Sequence, residues 1–117
     1  MFMFFFCMEP TQLLNGNYVN DVSTYLQRQG AEPLEDATLD LGVMLRYEGV
    51  DITVEEIGVS PNRQTRVTYV GEGADAMKGE HSHMLARISQ EGGLEKATEL
   101  EGLTWRVPLN DPRNCRY

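Results

Sequence analysis

The sequence predicts an α+β fold: a mainly antiparallel sheet, built from a three-stranded meander plus a C-terminal hairpin, packed by two helices. Strict alternation of apolar and polar residues over 39–47 is typical of a strand with one buried face. Glycine-containing turn pairs join such runs, and two other stretches have the apolar spacing of amphipathic helices. The predicted order of elements is α-β-β-β-α-β-β.

The length of the chain is sufficient for one domain only. A chain of 117 residues can bury one modest core and is too short for two. We expect an apolar N-terminal arm over residues 1–10, a single α+β domain over 11–108 and an extended C-terminal tail over 109–117.

The first helix is predicted to run from Asn17 to Gly30. Asn17 is a candidate N-cap, and Gly30 suits the left-handed position that ends many helices, with Pro33 shortly beyond it. Residues 32–36 are interpreted as a short acidic linker. The apolar stripe of this helix consists of Tyr18, Val22, Tyr25 and Leu26.

The meander is predicted over residues 39–70. Its first turn is the Glu-Gly pair at 48–49, and its second is Ser-Pro-Asn-Arg at 60–63, which suits a type I turn with Pro at the second position. Residues 65–69 then form the third strand. A two-residue first loop brings apolar residues of one face opposite each other: Tyr47 with Val50, Leu45 with Ile52, and Val43 with Val54.

The second helix is predicted to begin near Ala74 and to stop at the two glycines 92–93. Gly71 and Gly73 relax the backbone before it. Its apolar residues fall at i, i+4, i+7, i+8 and i+11: Met77, His81, Met84, Leu85 and Ile88.

A C-terminal hairpin is predicted after this helix. Residues 95–100 and 103–107 flank a second Glu-Gly pair, which places Trp105 on the same face as the neighbouring leucines. A helix through residues 94–100 is the alternative for the first arm, because Leu, Glu, Lys and Ala favour helices.

The apolar faces of both helices and of the sheet predict a shared core. Its expected members are Val22, Leu26, Leu41, Val43, Leu45, Ile52, Val54, Val67, Tyr69, Met77, Leu85, Ile88 and Trp105.

The charge balance narrows the function classes. Eighteen acidic against ten basic residues give a net charge of −8, which argues against binding to nucleic acid or to an anionic membrane. We therefore expect protein partners, no direct nucleic-acid contact and no membrane span. Cys7 and Cys115 do not form a disulfide framework, so we expect a reducing compartment, the cytoplasm, and no secretion.

The residues that might carry chemistry show no catalytic pattern. On a helix, His81 and His83 would point about 200° apart, so they cannot share a metal ion. We expect His81 to be half-buried on the helix stripe and His83 to be solvated. The neighbouring carboxylates Glu55 and Glu56, and likewise Glu99 and Glu101, are expected on solvated positions rather than in one cleft. We expect no enzyme, no metal and no cofactor.

The N-terminal run Met1–Met8 is eight apolar residues long, which is too short for a membrane span and lacks the features of a signal peptide. Left in water, it would promote aggregation. It is either excess sequence before a start at Met8, a first strand on the core, or an arm that docks on a neighbouring subunit. As an interface hypothesis we assign Phe2, Phe4, Phe5 and Phe6 of this run, with Arg106, Arg113 and Arg116 of the basic tail.

The predicted order of elements over residues 17–113 resembles that of phage tail-terminator and tail-completion proteins. The features that carry it are the strand at 66–70, the Gly-Glu-Gly link into the helix at 74–90, and the last hairpin, which ends Pro-Leu-Asn-Asp-Pro-Arg at 108–113. The resemblance implies a non-enzymatic subunit of a ring that joins a tail tube to a head. The alternative is a small acidic inhibitor that mimics nucleic acid and blocks a host nucleic-acid-binding defence enzyme.

Overall fold

A computed structural model describes residues 9–35 and 41–99 of the chain. In that part of the chain, a five-stranded antiparallel sheet carries its helices on one face, which confirms the α+β class. The strand order across the sheet is β1-β5-β4-β3-β2. The elements are β1 (Thr11–Asn15), α1 (Val19–Gln29), β2 (Glu32–Pro33), β3 (Gly42–Tyr47), β4 (Val50–Ile57), β5 (Gln64–Val70), α2 (Ala74–Glu91) and α3 (Leu94–Glu99).

The predicted register of the meander is confirmed. Strands β3 and β4 pair Tyr47 with Val50, Leu45 with Ile52 and Val43 with Val54. Glu48 and Gly49 both have positive φ angles, of 50° and 82°, as a two-residue hairpin of type I′ requires. Because side chains alternate across a strand, this register places every apolar residue of the hairpin on the helix-covered face.

The second turn of the meander differs from the prediction. The peptide bond between Ser60 and Pro61 is cis, and the turn hydrogen bond runs from the backbone N of Asn62 to the O of Val59, at 2.7 Å. The turn therefore spans residues 59–62 rather than a type I turn over 60–63.

The prediction missed two strands at the edges of the sheet. Strand β1 pairs with β5, and the two-residue β2, expected to lie in an acidic linker, pairs with β3. Both strands are short, and their sequences show little alternation of apolar and polar residues. They can therefore be recognised only from the strands with which they pair. The observed order is β-α-β-β-β-β-α-α instead of α-β-β-β-α-β-β.

The two predicted helices are present. Helix α1 ends at Gly30 in the left-handed conformation, as predicted, but it begins at Val19, and Tyr18 rather than Asn17 occupies the N-cap position. The Asn17 side chain still accepts a hydrogen bond from the backbone N of Val19, at 3.3 Å. Helix α2 ends at Gly92, and its predicted apolar stripe is buried along its whole length.

The first arm of the predicted C-terminal hairpin is wrong, because residues 94–99 form helix α3. Leu94 and Ala97 are buried on one side of this helix, and the hydroxyl of Thr98 donates to the carbonyl of Leu94 at 2.7 Å. The helical alternative prevails because Leu-Glu-Lys-Ala favours a helix and its apolar pair can pack beside α1 and α2. The second arm of the hairpin, with Trp105, lies outside the described residues.

Most of the predicted core is buried in one cluster, with Val43 half-buried at its margin. Leu41 is a correction, because it is 60% exposed. It precedes β3 and borders an open cleft near the N-terminal end of α1, so the apolar alternation continues past the area that the helices cover. The core also contains residues that we did not predict, among them Leu14, Tyr25, Ala31, Val50, Ala74, Met84, Leu94 and Ala97.

We expect Leu45→Ala to destabilise the protein by about 2–5 kcal/mol, because a fully buried leucine leaves a cavity when truncated. Leu41→Ala is the matched control, and it should change the free energy of unfolding by less than about 0.5 kcal/mol, since Leu41 is exposed. Urea denaturation of the three proteins measures both values. Equal midpoints for Leu45→Ala and the parent would contradict the observed register.

Candidate interaction surface

The predicted interface residues lie outside the part of the chain that the structure describes. This applies to Phe2, Phe4, Phe5 and Phe6 of the arm and to Arg106, Arg113 and Arg116 of the tail, so their role stays a prediction. The described residues nevertheless include β1, which begins three residues after the apolar run ends at Met8.

Strand β1 forms one edge of the sheet, and its backbone pairing alternates. Tyr69 donates its backbone N–H to the O of Pro10 at 2.9 Å, and Gly16 donates its N–H to the O of Arg63 at 2.9 Å. In an antiparallel ladder, residues that exchange hydrogen bonds recur at every second position. The even-numbered residues of β1 therefore bond to β5, and the backbone groups of Thr11, Leu13 and Asn15 point away from the sheet.

The outward groups of Asn15 are occupied by a side chain of α2. Its backbone N donates to the hydroxyl of Ser89 at 3.0 Å, and the same hydroxyl lies 3.3 Å from the carbonyl O of Asn15. Within the described residues, the outward N–H and C=O groups of Thr11 and Leu13 have no such partner. The open part of this edge is thus two residues long at its outward-facing positions.

The opposite edge of the sheet is protected by its sequence. Strand β2 is only two residues long, and Pro33 has no N–H to offer a further strand. Short strands and prolines are common means of preventing edge-to-edge association. Strand β1 has neither protection between Thr11 and Asn15, and it carries no charged residue.

The sheet face opposite the helices is lined by charged and polar side chains in cross-strand pairs. Arg46 lies 2.8 Å from Asp51, as the register predicted, and Arg66 lies 3.1 Å from Glu55. The Asp51 carboxylate raises the pKa of Arg46, first through the hydrogen bond and then through its charge. This face is polar, but Leu13 on β1 is 53% exposed and Val70 on β5 is 44% exposed.

Gln12 is a buried polar side chain on this edge strand. It is only 5% exposed, and its amide Nε2 donates to the carbonyl O of Ser82 at 3.2 Å. Its Oε1 is buried without a hydrogen-bond partner. Unpaired buried acceptors are uncommon and destabilise the folded state.

The adjacent carboxylates Glu55 and Glu56 do not form a catalytic pair. Glu55 pairs with Arg66, whereas Glu56 contacts Arg63 at 3.3 Å and accepts a hydrogen bond from Asn17 at 2.6 Å. Both side chains are less exposed than predicted, at 27% and 14%. Their guanidinium and amide partners tie each one to a neighbouring segment. Glu101 lies outside the described residues, so its relation to Glu99 stays a prediction.

A cleft with a volume of about 810 Å³ lies between the β1–α1 connection and the β4–β5 turn. Its lining offers the amides of Asn15, Asn17 and Gln64 and the guanidinium of Arg63, without a carboxylate, histidine or cysteine. These groups can hold a polar ligand or a polypeptide backbone, but none of them titrates near neutral pH.

His81 is buried between helix α2 and the sheet. Its Nδ1 shares a hydrogen bond of 3.1 Å with the hydroxyl of Tyr69, and the ring of Tyr25 meets it edge-on at 5.9 Å between centroids. Burial lowers the pKa of His81 from 6.5 to about 4, and burial likewise raises the pKa of Tyr69. His81 is therefore more deeply buried than the half-buried position we predicted, while His83 is half-buried.

No protein-family model matches the sequence, and neither a curated protein nor a solved structure matches the chain at a significant level. Among the described residues, no helix is long and apolar enough to cross a membrane. In the same part of the chain, no group of three His, Cys, Asp or Glu residues is placed to hold a metal ion.

We expect the protein to lose stability in acid because of His81. Its pKa is lower in the folded state, so its contribution is complete above pH 6.5 and disappears as the pH falls to about 4. The slope of about 1.4 kcal/mol per pH unit gives a total loss of about 3 kcal/mol over this range. Denaturation curves at pH 7, 6, 5 and 4 should show a smaller loss of stability for His81→Gln than for the parent, and an equal loss in the two proteins would contradict this expectation.

We also expect the purified protein to contain no stoichiometric metal. The two histidines of α2 are two residues apart, and His81 already bonds to Tyr69. Elemental analysis that finds one equivalent of zinc, lost in His81→Gln or His83→Gln, would overturn this expectation.

Proposed function

We propose that this protein is a non-enzymatic assembly subunit that packs against copies of itself or against a larger complex. The observation that carries the proposal is the unprotected edge of β1, with outward backbone groups on Thr11 and Leu13 and with Leu13 itself 53% exposed. The eight-residue apolar run lies immediately before this edge in the chain. An open edge and an adjacent apolar segment both need a partner.

Backbone groups at a sheet edge are the usual means by which one chain adds a strand to another. Main-chain hydrogen bonds provide affinity, and neighbouring apolar side chains add burial. Burying four phenylalanines of the arm contributes on the order of 1.5–3 kcal/mol each, which can exceed the entropy cost of ordering the arm. The arm and the edge are close enough in sequence to act in one interface.

The more specific form of the proposal is a ring-forming component of a phage tail or of a head–tail connection, located in the host cytoplasm or the virion. Its support is the resemblance in the order of elements from the meander through the Gly-Glu-Gly link into α2. The described chain departs from the expected order at three places: strand β1 precedes α1, strand β2 follows it, and α3 replaces an expected strand. The assembly function does not depend on this specific form.

The alternative of an acidic mimic of nucleic acid has less support. A mimic must present unpaired carboxylates in place of phosphates. On the sheet, Asp51, Glu55 and Glu56 are each paired with an arginine, which cancels much of their field. The contacts thus favour the assembly function over mimicry.

The test compares the full chain with a chain that starts at Met8. We expect the full chain to sediment as an oligomer and the shortened chain to sediment as a monomer with a nearly unchanged melting temperature. A full-length variant with Ser in place of Phe2, Phe4, Phe5 and Phe6 should behave like the shortened chain.

Val59→Ser is the matched control for loss of an exposed apolar side chain, because Val59 is 77% exposed on the β4–β5 turn. It should assemble like the parent. A strictly monomeric full chain whose shortened form fails to fold would refute the proposal, since the arm would then belong to the protein's own core.

A further inference from the structure

We propose that strand β1 is a homotypic contact, in which two copies of the chain pair antiparallel about a two-fold axis beside Gln12. The inference rests on the proposed assembly function and names its partner, a second copy of this chain. It is carried by the alternation of the β1 backbone, by Ser89 and by the absence of charge on β1.

One register pairs all the outward N–H and C=O groups of Thr11 and Leu13. If Gln12 lies opposite the partner's Gln12, then Thr11 lies opposite the partner's Leu13, and Leu13 opposite the partner's Thr11. Each of these pairs consists of residues whose N–H and C=O groups point outward, so the contact forms four hydrogen bonds. All the outward groups of Thr11 and Leu13 are satisfied.

The neighbouring symmetric register is less favourable. Centring the pair on Leu13 would place Thr11 opposite Asn15 of the partner subunit, whose outward groups already bond to a Ser89 hydroxyl. Only two hydrogen bonds would then form without displacing Ser89. If the pairing were shifted by one residue, residues with inward-facing backbone groups would lie opposite residues with outward-facing ones. The buried side chains of Gln12 and Leu14 would then lie opposite side chains of the exposed face.

The selected register places the two Gln12 residues at the axis as a non-hydrogen-bonded pair, in which Cα atoms lie about 4.5 Å apart. The Gln12 side chain lies on the helix-covered face, where its amide donates to Ser82 within each copy. It therefore leaves the backbone groups of Thr11 and Leu13 free to pair.

The electrostatics and the shape of the edge allow a second copy to approach. Each copy carries a net charge of −8, so self-association requires a neutral contact, and β1 is uncharged from Thr11 to Asn15. The pairing joins two five-stranded sheets into a continuous one with both helical layers on the same side. A ring that contains this contact must have an even number of subunits.

Cysteine cross-linking in full chains that carry Cys7→Ser and Cys115→Ser tests the register. Cα atoms in a hydrogen-bonded pair are about 5.5 Å apart, within the range that a disulfide spans. A mixture of Thr11→Cys and Leu13→Cys chains should therefore cross-link on mild oxidation, whereas each variant alone should not. Cross-linking of Leu13→Cys alone would overturn the register, and the absence of cross-linking in the mixture would overturn the contact.

A charge variant tests the contact without relying on disulfide formation. Leu13→Glu places a carboxylate beside Arg66 within the chain, which the fold tolerates, but brings two like charges together near the axis. Its self-association should weaken by more than about tenfold, a loss measurable by sedimentation at several concentrations. Val59→Glu is the matched control, with the same change of charge at an exposed valine, and should keep the parent's affinity.

The outcomes separate this inference from the proposed function. Equal assembly of Leu13→Glu and Val59→Glu would overturn the β1 contact and leave an assembly subunit that uses another surface. A full chain that is monomeric at every concentration would overturn both. Thermal melting by circular dichroism verifies that each variant is folded before its mass is interpreted.

Discussion

The hydroxyl of Thr65 is the contact on which the placement of β1 and α1 depends. It is fully buried on β5, it accepts a hydrogen bond from the backbone N of Tyr18 at 2.5 Å, and it donates to the carbonyl O of Gly16 at 2.9 Å. Backbone groups of a chain reversal must be paired when they are removed from water, and one hydroxyl here pairs two of them. The reversal is thereby attached to strand β5, so β1 pairs with β5 and α1 begins directly after the reversal.

The position of β1 gives the molecule two unlike edges. In the part of the chain that the structure describes, the β2 edge has two residues, one of them a proline, whereas the β1 edge is closed by Ser89 at Asn15 and has no hydrogen-bond partner for the outward backbone groups of Thr11 and Leu13. An edge strand that is neither charged nor interrupted makes a monomer prone to aggregation, whereas in an assembly it can pair with a strand of a neighbouring chain. The apolar run before β1 is also unfavourable when exposed to water, and an interface between chains would bury it. Both features favour a protein whose working state contains more than one chain.

The acidic residues that form ion pairs on the sheet lie on β4, away from the β1 edge. On the sheet, arginines pair with Asp51, Glu55 and Glu56, so the described acids there hold neighbouring strands together more than they present a charged ligand site. Exposed ion pairs add little stability, and their value here lies in register and specificity. The buried polar groups act differently: His81 and Tyr69 satisfy each other within the core, whereas the Oε1 of Gln12 at the edge remains unpaired.

The sequence by itself determined the parts of the fold in which local pattern and packing agree. The alternation around Leu45 and Ile52 fixed the hairpin and its register, and the apolar spacing of α1 and α2 fixed the two long helices, because burial of one face needs only a regular period. Tertiary structure decided the rest. Strand β1 exists because β5 offers it a partner, residues 94–99 are helical because Leu94 and Ala97 pack beside α1 and α2, and Leu41 is exposed because it borders an open cleft beside the N-terminal end of α1. The open edge could not be read from the sequence, since whether a strand is central or peripheral depends on which strands pair beside it, and that is a long-range property.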